Sequence, residues 1–435
     1  MSNFYVWSEF GEILDIALHL QNEGHNVVFD IADKAYSKIG EGMIKKCDGH
    51  EDYLGQGYTF VYDGCTKGKL QDWLRSKGEV VFGGSEAGDK LENDRQIGQD
   101  LFKKAGFPQP FSKNFKKIEE AQAFVAANKS KQYILKQNGN APKSINYMGK
   151  RDKSEDMIHH LDDLKKKWNE AEWGEVDFDM MEVVHGCEVA GSALFNGKDW
   201  MRNKDGKIVG WLNYEEKKSD NEGLGMTCGE AGTTFVGVTE DNELFKKIVL
   251  SPVIAKYLKK IDFRGVFDVN GCLQDDGTYT AFEATCRFGV PSSDYEFIEG
   301  MKSNAGKVIA AVAKGEEMAV EIHEGIGMVV VMFGKPFTIE GKLEPENTSI
   351  GEKLWVMDDP VKNEHIHLYN FKKEEDGDYN VATDSGYLLT VTAKGGSVDM
   401  VREKCHKILE SMQMADAKWR TDIGARVEKE VDKMV

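Results

Sequence analysis

Alternating apolar and amphipathic segments occupy the first 85 residues and restrict how this end of the chain can fold. The apolar runs FYVWSE, NVVFDI, TFVYD and EVVFGG each have the length of a buried strand, and amphipathic segments separate them. Buried strands that alternate with helices form a parallel sheet covered by helices. No GxGxxG motif follows the first strand, so a dinucleotide is not an expected ligand. The pattern predicts a Rossmann-like domain over residues 1–105.

The rest of the chain divides into two further regions by its pattern. LENDRQIGQDLFKKAGF predicts a helix that ends at Gly106, and a mixed α+β region follows with the helices EEAQAFVAAN and KSEDMIHHLDDLKKKWNEAE. The glycine-rich SDNEGLGMTCGEAGTTF predicts a long loop, and ELFKKIVLSPVIAKYLKKI predicts one helix. Beyond about residue 320 the apolar runs predict strands and a final amphipathic helix. We therefore expect an α/β and α+β multidomain protein with domains 1–105, 106–320 and 321–435.

Composition excludes several classes of protein. A chain of 435 residues is too long for one ordinary core, and a net charge of −18 argues against nucleic acid or acidic lipid as a partner. The chain has no apolar run of membrane-spanning length and no basic signal-peptide start, so we expect a cytoplasmic protein. The seven cysteines form no CxxC pair, which indicates neither a zinc site nor a disulfide framework.

The most informative segment is FDVNGCLQDDGTYTAFEATCRFG, which predicts two strands joined by a tight turn. Asp268 and Glu283 then converge on one face, and Thr285 adds a neutral oxygen. Hard oxygen ligands of this kind suit Mg²⁺, which shares its coordination with nucleotide phosphates. Arg287 follows, where a guanidinium can hold a phosphoryl or carboxylate group. A surface hairpin with ordinary acids explains the same residues equally well when the segment is taken alone.

Two other segments suit a nucleotide. Lys136 ends an apolar strand beside a loop that contains Lys143, and a lysine in this position can neutralise phosphates. The alternative is a solvated lysine at a strand edge. In MMEVVHGCEVAG a strand ends near Gly186, and Glu188 can accept hydrogen bonds from ribose hydroxyls. His185 has no partner at ligand spacing and is interpreted as a turn residue.

The chain contains a strand-end lysine, then a hinge glutamate, then the motif Glu-x-Thr-x-Arg. This order resembles the signature of ATP-grasp enzymes. FEATCRFGVP resembles EFNxRFGDPE of phosphoribosylamine–glycine ligases, YILKQNGNAPKS resembles VVKADGLAAGKG, and MMEVVHGCEVAG resembles IEEFLxGEEAS. Near the C-terminus, WRTDIGARV is similar to the YRxDIGxRA of that family. The resemblance spans nearly the whole chain in collinear order.

The resemblance implies a pre-ATP-grasp domain, an ATP-grasp domain with a mobile lid at about 117–188, and a C-terminal β-rich domain. It implies that ATP activates a glycine-like carboxylate as an acyl phosphate, which an amine then attacks. Matching positions imply ATP contacts at Arg95, Lys136, Glu182, Val184 and Glu188. They imply Mg²⁺, with Mn²⁺ as an alternative, at Asp268, Glu283 and Thr285, and catalytic roles for Arg287 and Lys143. We expect a monomer or a homodimer.

Departures from the family pattern concentrate at the amine side. SEFGEILD replaces GxGGREHA and keeps only Gly11, which Glu9 and Glu12 flank, and Glu230 adds a further acid. Carboxylates repel a phosphate, so an acidic lining favours a cationic or neutral amine. Three hypotheses stay open: a divergent phosphoribosylamine–glycine ligase, a ligase for another carboxylate–amine pair such as an amino acid and a nucleotide-derived amine, and a non-catalytic nucleotide-binding scaffold.

Overall fold

A computed structural model describes residues 1–137, 145–150, 154–170, 175–290, 295–335 and 347–428. Its strands are β1 (Asn3–Ser8), β2 (Asn26–Ile31), β3 (Lys45–Cys47), β4 (Tyr58–Tyr62), β5 (Val80–Phe82), β6 (Ser112–Phe115), β7 (Tyr133–Gln137), β8 (Tyr147–Met148), β9 (Phe178–Glu182), β10 (Cys187–Asn196), β11 (Val209–Asp220), β12 (Leu224–Thr239), β13 (Arg264–Leu273), β14 (Tyr279–Thr285), β15 (Ile326–Phe333), β16 (Lys353–Leu354), β17 (Ile366–Leu368), β18 (Phe371–Lys373), β19 (Tyr379–Val381) and β20 (Tyr387–Gly395). Its α-helices are α1 (Leu14–Asn22), α2 (Gly68–Ser76), α3 (Glu86–Asn93), α4 (Arg95–Lys104), α5 (Ile118–Ala127), α6 (Glu155–Glu170), α7 (Glu243–Ile248), α8 (Pro252–Lys260), α9 (Ala305–Lys314) and α10 (Val398–Glu410).

The N-terminal region forms the predicted parallel sheet, with strands in the order β3-β2-β1-β4-β5. Aromatic and aliphatic side chains fill its core, among them Tyr5, Val28, Phe60, Tyr62 and Leu74. The chain leaves β1 toward β2 on one side, while β4 lies on the other side of β1. The carboxyl ends of β1 and β4 therefore flank a topological switch point, where open α/β sheets bind ligands.

A larger sheet of eight strands has the order β14-β13-β10-β11-β12-β15-β20-β17. From β10 through β11, β12, β15 and β20 to β17, neighbouring strands pair antiparallel. The helix α10 packs against β15 and β20 with Val401, Cys405 and Leu409 buried, as its apolar spacing predicts. The mixed α/β and α+β class expected from the sequence is confirmed.

The glycine-rich segment around residues 219–235, expected to be a loop, is instead part of a long antiparallel ribbon. β11 and β12 pair from Val209↔Thr239 to Asp220↔Leu224, with register shifts on both sides of Lys218. A short turn, Asn221–Gly223, joins the two strands, and Gly223 and Gly225 there adopt positive φ angles. The loop prediction was wrong because glycines in this segment serve the turn and the irregular register.

Two predicted helices are each interrupted. Asp94 has extended backbone angles, so it ends α3, and its side chain caps α4 by accepting from the backbone N–H groups of Gln96 and Ile97. Ser251 caps α8, and Pro252 at its first position cannot continue α7. Both single-helix predictions were wrong at these caps, although the segments on either side are helical as expected.

The chain separates into two compact units. One contains residues 1–105, 188–271 and 282–435, and the other contains 106–187 and 272–281. The second unit holds a four-stranded sheet, β6-β9-β7-β8, whose core includes Phe115, Leu135 and Met180 with Leu161 and Trp168 of α6. The three-domain division and the lid boundaries stay predictions. Within the described ranges, no helix is long and apolar enough to cross a membrane.

Candidate functional site

One small cavity lies on a face formed by four adjacent strands of the large sheet. On β10 and β11 the lining residues are two positions apart, as expected for side chains on one face of a sheet. The lining residues are Glu188 and Ala190 on β10, Glu215 and Lys217 on β11, Asn270 and Gly271 on β13, and Phe282 and Glu283 on β14. Carboxylates, an ammonium and an amide therefore converge in one concave site.

Lys217 is the cation of this cavity. Its Nζ lies 3.2 Å from Glu188 Oε2 and 3.3 Å from Glu215 Oε2. Burial lowers the pKa of Lys217, but the carboxylates of Glu215, Glu188 and Glu283 outweigh burial and raise the pKa above its usual value. The ammonium is therefore charged at neutral pH. A fixed positive charge in a partly buried site is suited to stabilise negative charge on a phosphoryl group.

Of the predicted metal ligands on the β13–β14 hairpin, Glu283 lines this cavity, and the unpredicted Asn270 beside it contacts Asp268 and Thr285. The Asn270 Nδ2 group donates to Asp268 Oδ1 at 2.7 Å and to Thr285 Oγ1 at 3.4 Å. Asp268 is buried, whereas Glu283 is exposed to the cavity. Asp268 thus orients the Asn270 amide, and Glu283 presents its carboxylate beside it.

This donor set fits a magnesium ion that shares its coordination with substrate. Magnesium is usually held by one or two carboxylates plus phosphates and water, and here Glu283 is joined by the oxygens of Asn270 and Thr285. In the described residues, no cluster of three or more His, Cys, Asp or Glu side chains is arranged as a metal site. The arrangement therefore suits an ion that arrives with a nucleotide, with Glu283 as its anionic protein ligand.

Arg287 is fixed by a half-buried acid of the N-terminal region, Glu92. Its Nε donates to Glu92 Oε1 at 2.9 Å and its Nη1 donates to the Phe288 carbonyl at 2.9 Å. Glu92 also accepts from the Cys286 backbone N–H and from the Cys65 thiol. The guanidinium is therefore held in one orientation, and it remains one-third exposed.

The remaining predicted residues are placed as follows. Arg95 is exposed at the first position of α4. In the second unit, Lys136 is half-buried on β7, and Glu182 at the end of β9 accepts from Lys131 Nζ at 2.6 Å. The carbonyl of Val184 accepts from the Cys272 thiol at 3.8 Å. Lys143 lies outside the described residues. Nothing in the structure tests the roles assigned to these side chains.

A second group of acids lies at the switch point of the parallel sheet. Ser8, at the end of β1, donates to Asp63 at the end of β4 over 2.6 Å. Burial, with the nearby Glu12 carboxylate, raises the pKa of Asp63 to about 8. Burial raises the pKa of Glu12, and the positive charge of Arg287 offsets only part of this rise. Thr66 donates to Glu9 at 3.0 Å, which completes an acidic crevice.

Sequence reasoning missed Glu215, Lys217 and Asn270. Glu215 and Lys217 lie two residues apart in a strand, and Asp268 and Asn270 show the same spacing. Charged and amide side chains at this spacing indicate one polar face. The signal was present in NYEEKKSD and FDVNG, but the first segment had not been recognised as a strand.

Comparison with known proteins bears on this site directly. Residues 93–293 match the family model described as phosphoribosylglycinamide synthetase, ATP-grasp (A) domain. This range contains the four cavity strands and every nucleotide, metal and catalytic residue proposed from the sequence. The chain is similar to phosphoribosylamine–glycine ligases at low identity: those of Chlorobaculum tepidum and Archaeoglobus fulgidus are each 23% identical to it.

These relatives cover most of both chains. The alignment with the Chlorobaculum protein includes 81% of this chain and 80% of the relative, and the Archaeoglobus alignment includes 88% and 86%. The crystal structure of phosphoribosylamine–glycine ligase from Thermotoga maritima superposes with a TM-score of 0.69 at 17% identity, covering 97% of this chain and all of that one. A biotin carboxylase domain from Hydrogenobacter thermophilus, solved with MgADP and bicarbonate, gives a TM-score of 0.63 at 12% identity, over 96% and 91% of the two chains. The family fold therefore extends through this whole chain.

Proposed function

We propose that this protein is an ATP-dependent, ADP-forming ligase that joins a carboxylate to an amine. The substrates of its named relatives, glycine and 5-phosphoribosylamine, are the first candidates, and their product would serve purine biosynthesis. The observation that carries the proposal is the cavity in which Lys217 is held between Glu188 and Glu215 beside Glu283. Gathering partly desolvated charges in one cavity has a cost, which favours a functional site over a non-catalytic scaffold.

The chemistry has two balanced steps. A carboxylate oxygen of the first substrate attacks the γ-phosphorus of ATP, the bond to the β-phosphate oxygen breaks, and ADP leaves an acyl phosphate. The amine then attacks the acyl carbon, the carbon–oxygen bond to phosphate breaks, and the amine loses a proton as the amide forms. Positioning and charge neutralisation do most of the work in such transfers. Lys217 is suited to neutralise the transferred phosphoryl group, and Arg287 to orient the acyl phosphate.

The nucleotide and its metal complete the proposed assignment. Magnesium bound to ATP would withdraw charge from the phosphates, and Glu283, Asn270 and Thr285 would hold it, with Asp268 as the support of Asn270. Lys136 and Arg95 are proposed as phosphate contacts. Glu182, Val184 and Glu188 are proposed as adenosine contacts. ATP and magnesium also fit the family, since the related Hydrogenobacter carboxylase domain was solved with MgADP.

A second candidate function has its own supporting observation. The acidic group of Glu9, Glu12 and Asp63 lies at the switch point of the N-terminal sheet. The positive charge of Arg287 acts on both Glu12 and Asp63, where it opposes the rise of their pKa values. If the amine binds there, carboxylates at Glu9 and Glu12 would repel a phosphorylated amine and attract a cationic one, whereas Asp63 keeps its proton at neutral pH. The same scaffold would then join a carboxylate to an unphosphorylated amine.

Two matched amines separate these candidates. ADP release would be measured with ATP, magnesium and glycine, using either 5-phosphoribosylamine or the same ribosylamine without its phosphate. The first candidate predicts turnover of about 1 per second or faster with the phosphorylated amine. The second predicts that the unphosphorylated amine has the higher kcat/KM. No glycine- and amine-dependent ADP release with either compound would count against both assignments.

A further inference from the structure

Residues 418–426, near the C-terminus, bind the ribbon formed by β11 and β12. Thr421 and Asn221 exchange two hydrogen bonds of 2.7 and 3.0 Å, the Glu222 backbone N–H donates to Asp422 at 2.6 Å, and Lys418 pairs with Asp220 at 3.2 Å. These contacts join segments about 200 residues apart in the sequence. The C-terminal segment therefore holds the end of the ribbon that follows Lys217.

Arg420 is the centre of this contact and is fully buried. Its Nε and Nη2 donate to the two carboxylate oxygens of Asp422 at 2.8 and 3.0 Å, a bidentate pair. Its Nη1 donates to Glu216 Oε2 at 3.1 Å and to the Lys218 carbonyl at 3.1 Å. Arg426 adds two further bonds to the Glu216 carboxylate, which is itself 1% exposed. Two arginines thus balance the buried Glu216 and the partly exposed Asp422.

The two residues that Arg420 holds on β11 are the immediate neighbours of Lys217. Side chains alternate along a strand, so a Glu216 that faces the C-terminal segment leaves Lys217 facing the cavity on the opposite side. The pairing of β11 with β12 is irregular here, because Glu216 pairs with Gly232 but Lys218 pairs with Thr227. A ladder that is broken at this point cannot fix the direction of Lys217 by backbone pairing alone.

We propose that Arg420 is a positioning residue for the ligase reaction, holding Glu216 and the Lys218 carbonyl so that Lys217 points into the cavity. The inference rests on the proposed function, in which Lys217 neutralises the transferred phosphoryl group. It adds that the C-terminal segment contributes to the active site without touching substrate. A displacement of about 1 Å at a catalytic group can slow a reaction 10²-fold, so this support is consequential.

The test compares two arginine variants in the full-length protein. Arg420→Met keeps the length of the side chain and removes its hydrogen bonds. Arg402→Met is the matched control, since Arg402 donates to Asp399 and, in the same C-terminal segment, to the Ile423 carbonyl, and neither acceptor belongs to the ribbon. We expect Arg420→Met to lower kcat at least tenfold with the KM for ATP changed less than threefold, and the control to change neither. Arg420→Lys, which keeps the charge but loses the fork, is expected to recover part of kcat.

A double-mutant comparison tests whether Arg420 acts through Lys217. In a Lys217→Met background, Arg420→Met should lower kcat by less than twofold more, because the side chain that it positions is already gone. If the double variant loses kcat by the product of the two single-variant factors, the proposal is wrong. It is also wrong if Arg402→Met lowers kcat as much as Arg420→Met does. If Arg420→Met does not fold, Arg420→Lys with a wild-type melting temperature replaces it in both comparisons.

Hydrogen exchange separates this proposal from the proposed function, because it needs no substrate. The backbone amides of residues 215–222 should exchange at least tenfold faster in Arg420→Met, or in Arg420→Lys to a smaller extent, than in Arg402→Met. Unchanged exchange there would overturn the positioning role even if the enzyme is an active ligase. Faster exchange in a protein that makes no ADP with any substrate pair would support the positioning of the ribbon and refute the ligase assignment.

Discussion

Lys217 Nζ lies 3.2 Å from Glu188 Oε2, so an ammonium on β11 is paired with a carboxylate on the neighbouring strand β10. Glu215, two residues earlier on β11, flanks the same ammonium. With Glu283 from β14 in the same cavity, three acids surround one base. The cavity alone is therefore anionic, and the magnesium ion of a bound nucleotide would place positive charge beside these acids.

Lys217→Met should lower kcat for ADP formation by about 10²-fold. Removal of one preorganised donor from a developing charge has a cost of this size in other enzymes. The control is Lys207→Met, because Lys207 also pairs with an acid, Asp241, but does so on the surface. Steady-state kinetics with ATP and glycine would measure both variants. A kcat for Lys217→Met within threefold of wild type would remove Lys217 from the mechanism.

Glu283→Gln should abolish magnesium-dependent ADP formation and leave the fold intact. The substitution removes the anionic oxygen that we assign to the metal, at a cost of several kcal/mol in the transition state. Calorimetric titration of Mn²⁺ into protein with ADP gives a readout that does not depend on turnover, and the affinity should fall at least tenfold. The exposed Glu243, which pairs with Lys246, supplies the control Glu243→Gln. Wild-type metal affinity in Glu283→Gln would place the ion elsewhere.

Asp63→Asn should make stability less dependent on pH. The folded-state pKa of Asp63 is about 8, above the usual value near 4. Between these values the folded protein keeps a proton that the unfolded chain has lost, so the free energy of unfolding falls with rising pH by about 1 kcal/mol per pH unit. The melting temperature of the variant, measured relative to that of the wild type, should therefore be higher at pH 8 than at pH 5. If the melting temperatures of the two proteins change equally between pH 5 and pH 8, the pKa of Asp63 is not raised in the folded protein.

The segment 117–188 should respond to nucleotide. We assign Lys136, Glu182 and Val184 to ATP, and bound ligand slows local opening of the segments that it contacts. Amides of β7 and β9 should exchange more slowly when a non-hydrolysable ATP analogue is added. The amides of β18 and β19, far along the chain from every proposed contact, serve as the internal control. Equal exchange of β7 and β9 with and without the analogue would refute these nucleotide assignments.

Local patterns were enough to predict much of this fold. The parallel N-terminal sheet, the β13–β14 hairpin and α10 follow from apolar spacing, because short stretches of chain set them. The hairpin also led to Glu283, since two strands joined by a tight turn share a face. Such elements need little information from distant residues.

The ribbon could not be predicted in the same way. Its sequence has glycines at the turn and in the irregular region, and Arg420, Asp422 and Thr421 hold it from about 200 residues away. Lys217 and Glu215 were missed because their common face exists only once the ribbon pairs. The breaks at Asp94 and Pro252 were missed for a different reason, since a helix cap depends on a few atoms that spacing does not reveal.

The most direct test of the proposed ligase is the fate of a carboxylate oxygen. Glycine labelled with ¹⁸O in both carboxylate oxygens would be incubated with the protein, ATP, magnesium and either ribosylamine, and the released phosphate would be analysed by mass spectrometry. If a carboxylate is activated as an acyl phosphate, each phosphate released with ADP should carry one ¹⁸O atom, and the amide should keep the other. Unlabelled phosphate, or no ADP release that depends on glycine and amine, would contradict the account.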